Sequence, residues 1–214
     1  MEQSRVLTIS ATYGAGGSLV APAAAARLQL PFFDRLLHGP DTRRAEAIME
    51  RLSDEERRHA PPGRLAATLA HLSAGLGIPV PDERDLNPRE VLRRSVTASI
   101  SNIVASGGGV ILGRGGAVVL AGQPFAFHVR LDGPPERRLR QGMEIEGADE
   151  QSARAHQADA DRAWSQFVQR VLDRDPADGR LYHLVLDSTV VPLETCADVV
   201  AAAAVAYWER AGCR

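Results

Sequence analysis

The chain has 214 residues, 44% hydrophobic and 24% charged, a balance that indicates a folded protein with its own core and excludes a disordered or fibrous chain. Its 25 basic against 27 acidic residues give a formal net charge of -2, and no long run of one sign marks it as a general partner of a nucleic-acid backbone or an anionic membrane. All 25 basic residues are arginines. That excludes Schiff-base chemistry, a pyridoxal-anchoring lysine and a phosphate-loop lysine, so any fixed positive charge offered to a substrate is a guanidinium.

Arg5–Ser10 (RVLTIS) is a short apolar, β-rich run. Tyr13-Gly14-Ala15-Gly16-Gly17-Ser18 follows at once, and then Leu19–Leu30, alanine-rich with a helical pattern, so the order reads strand, glycine loop, helix. Leu30–Asp34 (LPFFD) predicts a second strand, expected beside the first. From Asp41 to about Val96 the chain turns helical and charged, with joints at Pro61-Pro62-Gly63 and through Gly75–Pro88. A helix is expected over Pro88–Ser106 with Asn87 as its cap. Gly109–Gly113 (GVILG) predicts a third strand ending in Arg114-Gly115-Gly116, Phe125–Leu131 (FAFHVRL) a fourth and Tyr182–Leu186 (YHLVL) a fifth. Pro134–Arg170 reads as helix with a break at Gly147, and Leu193–Trp208 closes the chain as a helix. Strands alternating with helices predict a mostly parallel sheet covered on both faces, with ligands at the carboxyl ends of its strands.

Cys196 and Cys213 stand alone, without a CxxC pattern, too few for a disulfide framework or a cysteine zinc site. With no long apolar stretch at the start and none elsewhere long enough to span a bilayer, the expectation is a soluble cytoplasmic protein with no membrane or nucleic-acid partner. The six histidines, His128 and His183 among them, show no metal-ligand spacing and read as packing or surface residues. Trp164 and Phe167, three apart on a helix, read as a packed stripe.

The glycine loop carries the first functional signal. Backbone N–H groups converge on an anion only where side chains leave room, and Gly14, Gly16 and Gly17 between a strand and a helix start supply that room. The position before Ser18, where a phosphate loop of the regular pattern has lysine, is Gly17. Ser18 stands where a Mg²⁺-coordinating hydroxyl belongs. It also fits a plain N-cap on a turn that binds nothing. Asp34 and Arg114 each follow a strand, where a substrate contact competes with a cap or a surface ion pair. Arg138 and Arg140, beside Arg137 and Glu136, fit a solvated helix face as well as a phosphate site. Arg162 competes in the same way with helix-surface pairing, and Asp161 is expected to hold it.

Several separated stretches together resemble one family. Ile9-Ser10, Tyr13-Gly14-Ala15-Gly16-Gly17, Pro31-Phe32-Phe33-Asp34, Ile111-Leu112-Gly113-Arg114-Gly115, Val129-Arg130-Leu131, Glu136 with Arg138 and Arg140, Asp161-Arg162-Ala163 and Leu181-Tyr182 with Leu184-Val185-Leu186 are similar, in order and spacing, to the cytidylate kinase-like P-loop family. The resemblance implies a P-loop NTPase-like three-layer α/β sandwich over residues 1–214. It would have a five-stranded mostly parallel sheet, a helical acceptor-binding insert at about 41–87 and a short lid at 137–165. It implies ATP and Mg²⁺ as cofactors and phosphoryl transfer to a small acceptor, a nucleoside monophosphate such as CMP. Gly14, Ala15, Gly16, Gly17 and Ser18 would hold the ATP phosphates, with Ser18 on the metal. Asp34 and Arg114 would face the acceptor, and Arg138, Arg140 and Arg162 would carry charge to the transferring group, a task guanidinium forks suit. Two positions depart from the family pattern. Ala11 stands where relatives carry an arginine after the first strand's serine, and Trp164 where they carry a lid arginine. The alternative is therefore a nucleotide-binding or regulatory protein on a kinase fold with weak or no catalysis.

Overall fold

The computed structural model describes residues 4–34, 88–113, 115–175 and 177–213. The chain divides into two compact units, 1–36 with 98–214, and 37–97. The insert expected at about 41–87, the Asn87 cap and Arg114 lie outside the described residues.

Five strands, β1 (Arg5–Ala11), β2 (Phe32–Asp34), β3 (Gly108–Leu112), β4 (Ala126–Asp132) and β5 (Leu184–Asp187), form one sheet in the order β2-β3-β1-β4-β5. Every pairing is parallel. The helices are α1 (Gly17–Leu28), α2 (Pro88–Ala105), α3 (Gly116–Val119), α4 (Pro135–Glu146), α5 (Glu150–Gln166) and α6 (Leu193–Ala211), with a π-helical turn at Phe167–Val171 and a 3₁₀ turn at Gly179–Leu181. All five expected strands are present, each within two residues of its expected bounds.

One placement is corrected: β2 lies beside β3, not beside β1. All five residues of β3 are buried, whereas the three of β2 are half-buried. A strand apolar on both faces takes an inner position, and the shorter, less buried strand is left at the edge.

Strand alternation sorts the two faces. Leu7 and Ile9 of β1, with Val129 and Leu131 of β4, join a core with Val20, Ala21, Ala24 and Ala25 of α1 and Val200, Ala204 and Trp208 of α6. The alanines explain why α1 lies close to both the sheet and α6, since small side chains bring helix axes near. Arg27 of α1 adds ion pairs to Glu194 and Asp198 of α6, and the Trp208 indole donates to the Phe125 carbonyl at 2.9 Å. On the other face a Cβ added at Gly116 would lie 3.0 Å from Thr8 Cγ2, so α3 sits against β1 there.

The same face carries His128. His128 is 2% exposed. Its Nε2 is 3.2 Å from the Leu120 carbonyl, which only an N–H can satisfy, so its Nδ1 accepts from the Thr8 hydroxyl at 2.7 Å. His183 stacks on it with ring centroids 4.9 Å apart. Burial, then the neighbouring His183, depress the His128 pKa to about 4, so both work as packed neutral rings, as expected. Trp164 and Phe167 also pack, their ring centroids 6.4 Å apart.

Candidate functional site: a glycine loop gripped by its carbonyls

β1 ends at Ala11 and the chain turns through Thr12–Gly16 into α1. Gly14 and Gly16 both adopt left-handed backbone, φ 72° and 71°, which only glycine takes without strain. Sterics demand glycine as well. A Cβ at Gly14 would lie 1.9 Å from the Arg138 carbonyl oxygen, and one at Gly17 would lie 2.5 Å from the Ala11 Cβ.

Three successive carbonyls of this loop each accept from a side chain remote in the chain, two of them from one helix, α4, and the third from the turn after β5. Tyr13 O takes Arg138 Nη1 at 2.9 Å, Gly14 O takes Gln141 Nε2 at 2.8 Å, and Ala15 O takes the Ser188 hydroxyl at 2.8 Å. The Ala15 N–H closes a turn onto Thr12 O at 3.1 Å. Among the described residues no acceptor pairs with the N–H groups of Gly14, Gly16, Gly17 or Ser18. The loop thus presents four main-chain donors with its carbonyls tied elsewhere, the arrangement a main-chain anion site requires.

Ser18 is exposed in the first turn of α1. The helix cap is Gly16, with no side-chain cap bond, so the reading of Ser18 as an N-cap is corrected.

α4 forms one wall of the loop. Arg138, Gln141, Gly142 and Glu146 share one face of it, at helical spacing. Gly142 makes room for the Tyr13 ring, since a Cβ there would be 2.7 Å from Tyr13 Cε1. The Tyr13 hydroxyl donates to Glu146 Oε2 at 2.8 Å. Burial, followed by this bond, pushes the Tyr13 pKa up to about 12. α4 is capped by left-handed Gly147, the break expected from the sequence, and α5 is capped at its start by Asp149, whose carboxylate accepts from the Ser152 N–H at 2.9 Å.

Arg138 is 5% exposed, which corrects the reading of a solvated helix face for this residue. Besides Tyr13 O it donates to Gly133 O at 3.0 Å, and its fork spans both oxygens of Asp161 at 3.2 and 2.7 Å. Asp161 therefore holds Arg138 rather than Arg162, a second correction. Arg162 and Arg140 are exposed.

At the end of β4, Asp132 accepts from the Thr12 hydroxyl at 2.9 Å, the Gly133 N–H at 2.9 Å and Arg130 Nη2 at 2.7 Å. Burial opposes its charge, but these donors together hold its carboxyl below the ordinary carboxylate range. Asp187 lies opposite it in the register of β5. Hydrogen bonding from the Thr189 hydroxyl leads the effects that lower its pKa, and Arg137 pairs with it at 2.8 Å. Asp34 ends β2 with one buried carboxylate oxygen, Oδ1, that has no hydrogen-bond partner among the described residues.

The structure thus brings Gly14–Ser18 and Arg138 together. Sequence reasoning missed Gln141, Ser188, Thr12 and Asp132. Gln141 lies one turn beyond Arg138 and could have been read from that spacing. Ser188 reaches the loop only through the sheet, across 173 positions of chain.

An all-parallel sheet of this order, with a glycine loop leading from its middle strand into a helix, defines a P-loop kinase-type α/β fold. The chain belongs to the cytidylate kinase-like family, whose model matches residues 6–190. No curated protein sequence matches it. Among solved structures, an uncharacterized protein from Eubacterium ventriosum ATCC 27560 is similar in fold, with a TM-score of 0.62 and 16% identity over 94% of this chain and 98% of that one. A gluconokinase from Sinorhizobium meliloti 1021 matches with a TM-score of 0.52 and 15% identity, over 98% and 97% of the two chains. Among the described residues no helix is long and apolar enough to cross a membrane.

Proposed function

We propose that the protein transfers a phosphoryl group from ATP to a small acceptor, a nucleoside monophosphate with CMP as the first to test. The observation that carries this reading is the loop whose N–H groups at Gly14, Gly16, Gly17 and Ser18 lack acceptors among the described residues while its carbonyls are occupied. Phosphoryl transfer depends on positioning and on neutralising spread negative charge, and main-chain donors fixed before the substrate arrives do both without reorganising.

Among the described residues no group of three or more His, Cys, Asp or Glu side chains could hold a metal by itself. The exposed Ser18 hydroxyl at the start of α1 suits the single protein ligand that magnesium takes when phosphate and water fill its remaining positions. Bound there, Mg²⁺ would supply charge neutralisation on the phosphates. Arg162 and Arg140, both exposed, would bring positive charge to the transferring group. Asp34, whose buried oxygen at the end of β2 has no partner among the described residues, is assigned to the acceptor with Arg114.

A coupled ADP-release assay across nucleoside monophosphates tests the reading. Turnover with one acceptor, lost in a Ser18→Ala, Arg162→Ala double variant, is expected, and no turnover above that variant for any acceptor rejects it. Ala11 and Trp164, which stand where relatives carry arginine, favour a second reading, a protein that binds nucleotide with little or no catalysis. Calorimetric binding of ATP without turnover is its signature.

A further inference from the structure

The peptide group fixes what the three side-chain grips can do. A carbonyl oxygen of one residue and the N–H of the next are two ends of one planar, conjugated unit, and a donor on the oxygen strengthens the N–H at the other end. The Arg138 bond to Tyr13 O therefore acts on the Gly14 N–H, and the Ser188 bond to Ala15 O acts on the Gly16 N–H. Both of these amides lack an acceptor among the described residues. The Gln141 bond to Gly14 O acts on the Ala15 N–H, which closes the turn onto Thr12. Two grips serve donors that lack an acceptor among the described residues, and the third serves the shape of the loop.

We propose that Arg138, held by Asp161, and Ser188 are positioning residues that set the Gly14 and Gly16 amides for a triphosphate, without touching the ligand themselves. The inference rests on the reading of the loop as a phosphate site and names what replaces its missing lysine. Four of the five N–H donors of Arg138 are already committed. Nη1 is on Tyr13 O, Nε is on Gly133 O, and the fork is closed by Asp161, with Asp132 a further 3.6 Å ion-pair contact. Arg130 pairs with Asp132 in turn, so the four charged groups sum to zero. The cluster therefore acts on the loop through bond geometry rather than net field. It also fastens α5, which bears Asp161, to the loop.

Asp161→Asn separates this from the obvious alternative. The change keeps the side-chain shape, removes a negative charge near the loop and loosens the hold on Arg138. If net charge governed the site, or if Arg138 were a phosphate ligand released by the change, Mg·ATP would bind more tightly. Positioning predicts the reverse, about tenfold weaker binding by calorimetry, as expected for loss of a charge-assisted hydrogen bond. Ser188→Ala, which removes one hydroxyl from a site that needs no charge, is the second variant should Asp161→Asn fail to fold, and it too is expected to weaken binding about tenfold. Tighter or unchanged binding in a folded variant overturns the proposal.

Backbone ¹⁵N resonances, recorded without ligand, give a readout that needs no binding. Gly14 should move upfield in Asp161→Asn, and Gly16 in Ser188→Ala, each with the other glycine held in place. Failure of these selective shifts overturns the grip itself. The shifts with no triphosphate bound by the unaltered protein would instead leave the grip standing and refute the phosphate reading.

Discussion

Two glycine turns stand at the carboxyl ends of neighbouring strands, one after β1 and one after β3. Both end in a left-handed glycine cap, Gly16 at φ 71°, ψ 18° and Gly115 at φ 74°, ψ 19°, and neither cap makes a side-chain bond. The first starts a helix of 12 residues and the second one of 4. Their surroundings differ more than their backbones. Around the first, Arg138, Gln141 and Ser188 take three successive carbonyls. Around the second, the Gly113 N–H bonds to Ile9 O at 2.8 Å and the Gly116 N–H to Gly113 O at 3.4 Å. Gly115 faces Leu172, whose Cδ1 would lie 2.2 Å from an added Cβ. The two turns share a backbone shape, and what sets the first apart is that side chains from other elements occupy three of its successive carbonyls.

The strongest break of this comparison is a pair of alanine substitutions. Gly14→Ala combines left-handed strain with overlap on the Arg138 carbonyl and should cost about 4 kcal/mol in urea unfolding. Gly113→Ala, at φ 79° with nothing within 4 Å of the added methyl, should cost only the backbone strain, about 1 kcal/mol. Equal costs would show that the two turns are held alike.

Acid should act on the face that carries the second turn, because His128 donates to the carbonyl of Leu120, the residue that caps α3. The folded protein protonates His128 only near pH 4, against the ordinary 6.5 of an unfolded chain. Between those values the unfolded chain binds more protons. Stability is therefore full above pH 6.5 and falls by about 3 kcal/mol as the pH drops toward 4. His183, whose pKa is also lowered by burial, adds in the same direction. Urea midpoints measured from pH 4 to 8 check this, and His128→Gln should flatten the profile.

The smallest effect sharpens the first turn alone. Ser18→Ala should leave the urea midpoint unchanged, since Ser18 is exposed and makes no cap bond. It should weaken ATP binding about tenfold when Mg²⁺ is present and little when it is chelated. A loss that is the same with and without the metal would remove Ser18 from the metal site.

The elements were legible because each depends on short-range pattern. Apolar runs such as Val6–Ile9 and Gly108–Leu112 become strands, the alanine-rich stretch after Gly17 becomes a helix, and Gly147 stops one. The pairing of β2 was not legible, because it is settled by which strand the rest of the chain buries on both faces. Arg138 shows the same limit. Its neighbours Glu136, Arg137 and Arg140 suggest a solvated helix face, and only the packing of α4 on the loop buries it against Tyr13 and Asp161.

The sequence by itself determined the family, the strand-loop-helix start and the absence of lysine, because these reside in residue identity and local order. The tertiary structure alone decided which donors hold the loop, since Arg138, Gln141 and Ser188 lie 125, 127 and 173 positions from the carbonyls they grip. Contacts at that separation leave no periodic trace along the chain. They form only when a parallel sheet brings the carboxyl ends of its strands to one edge.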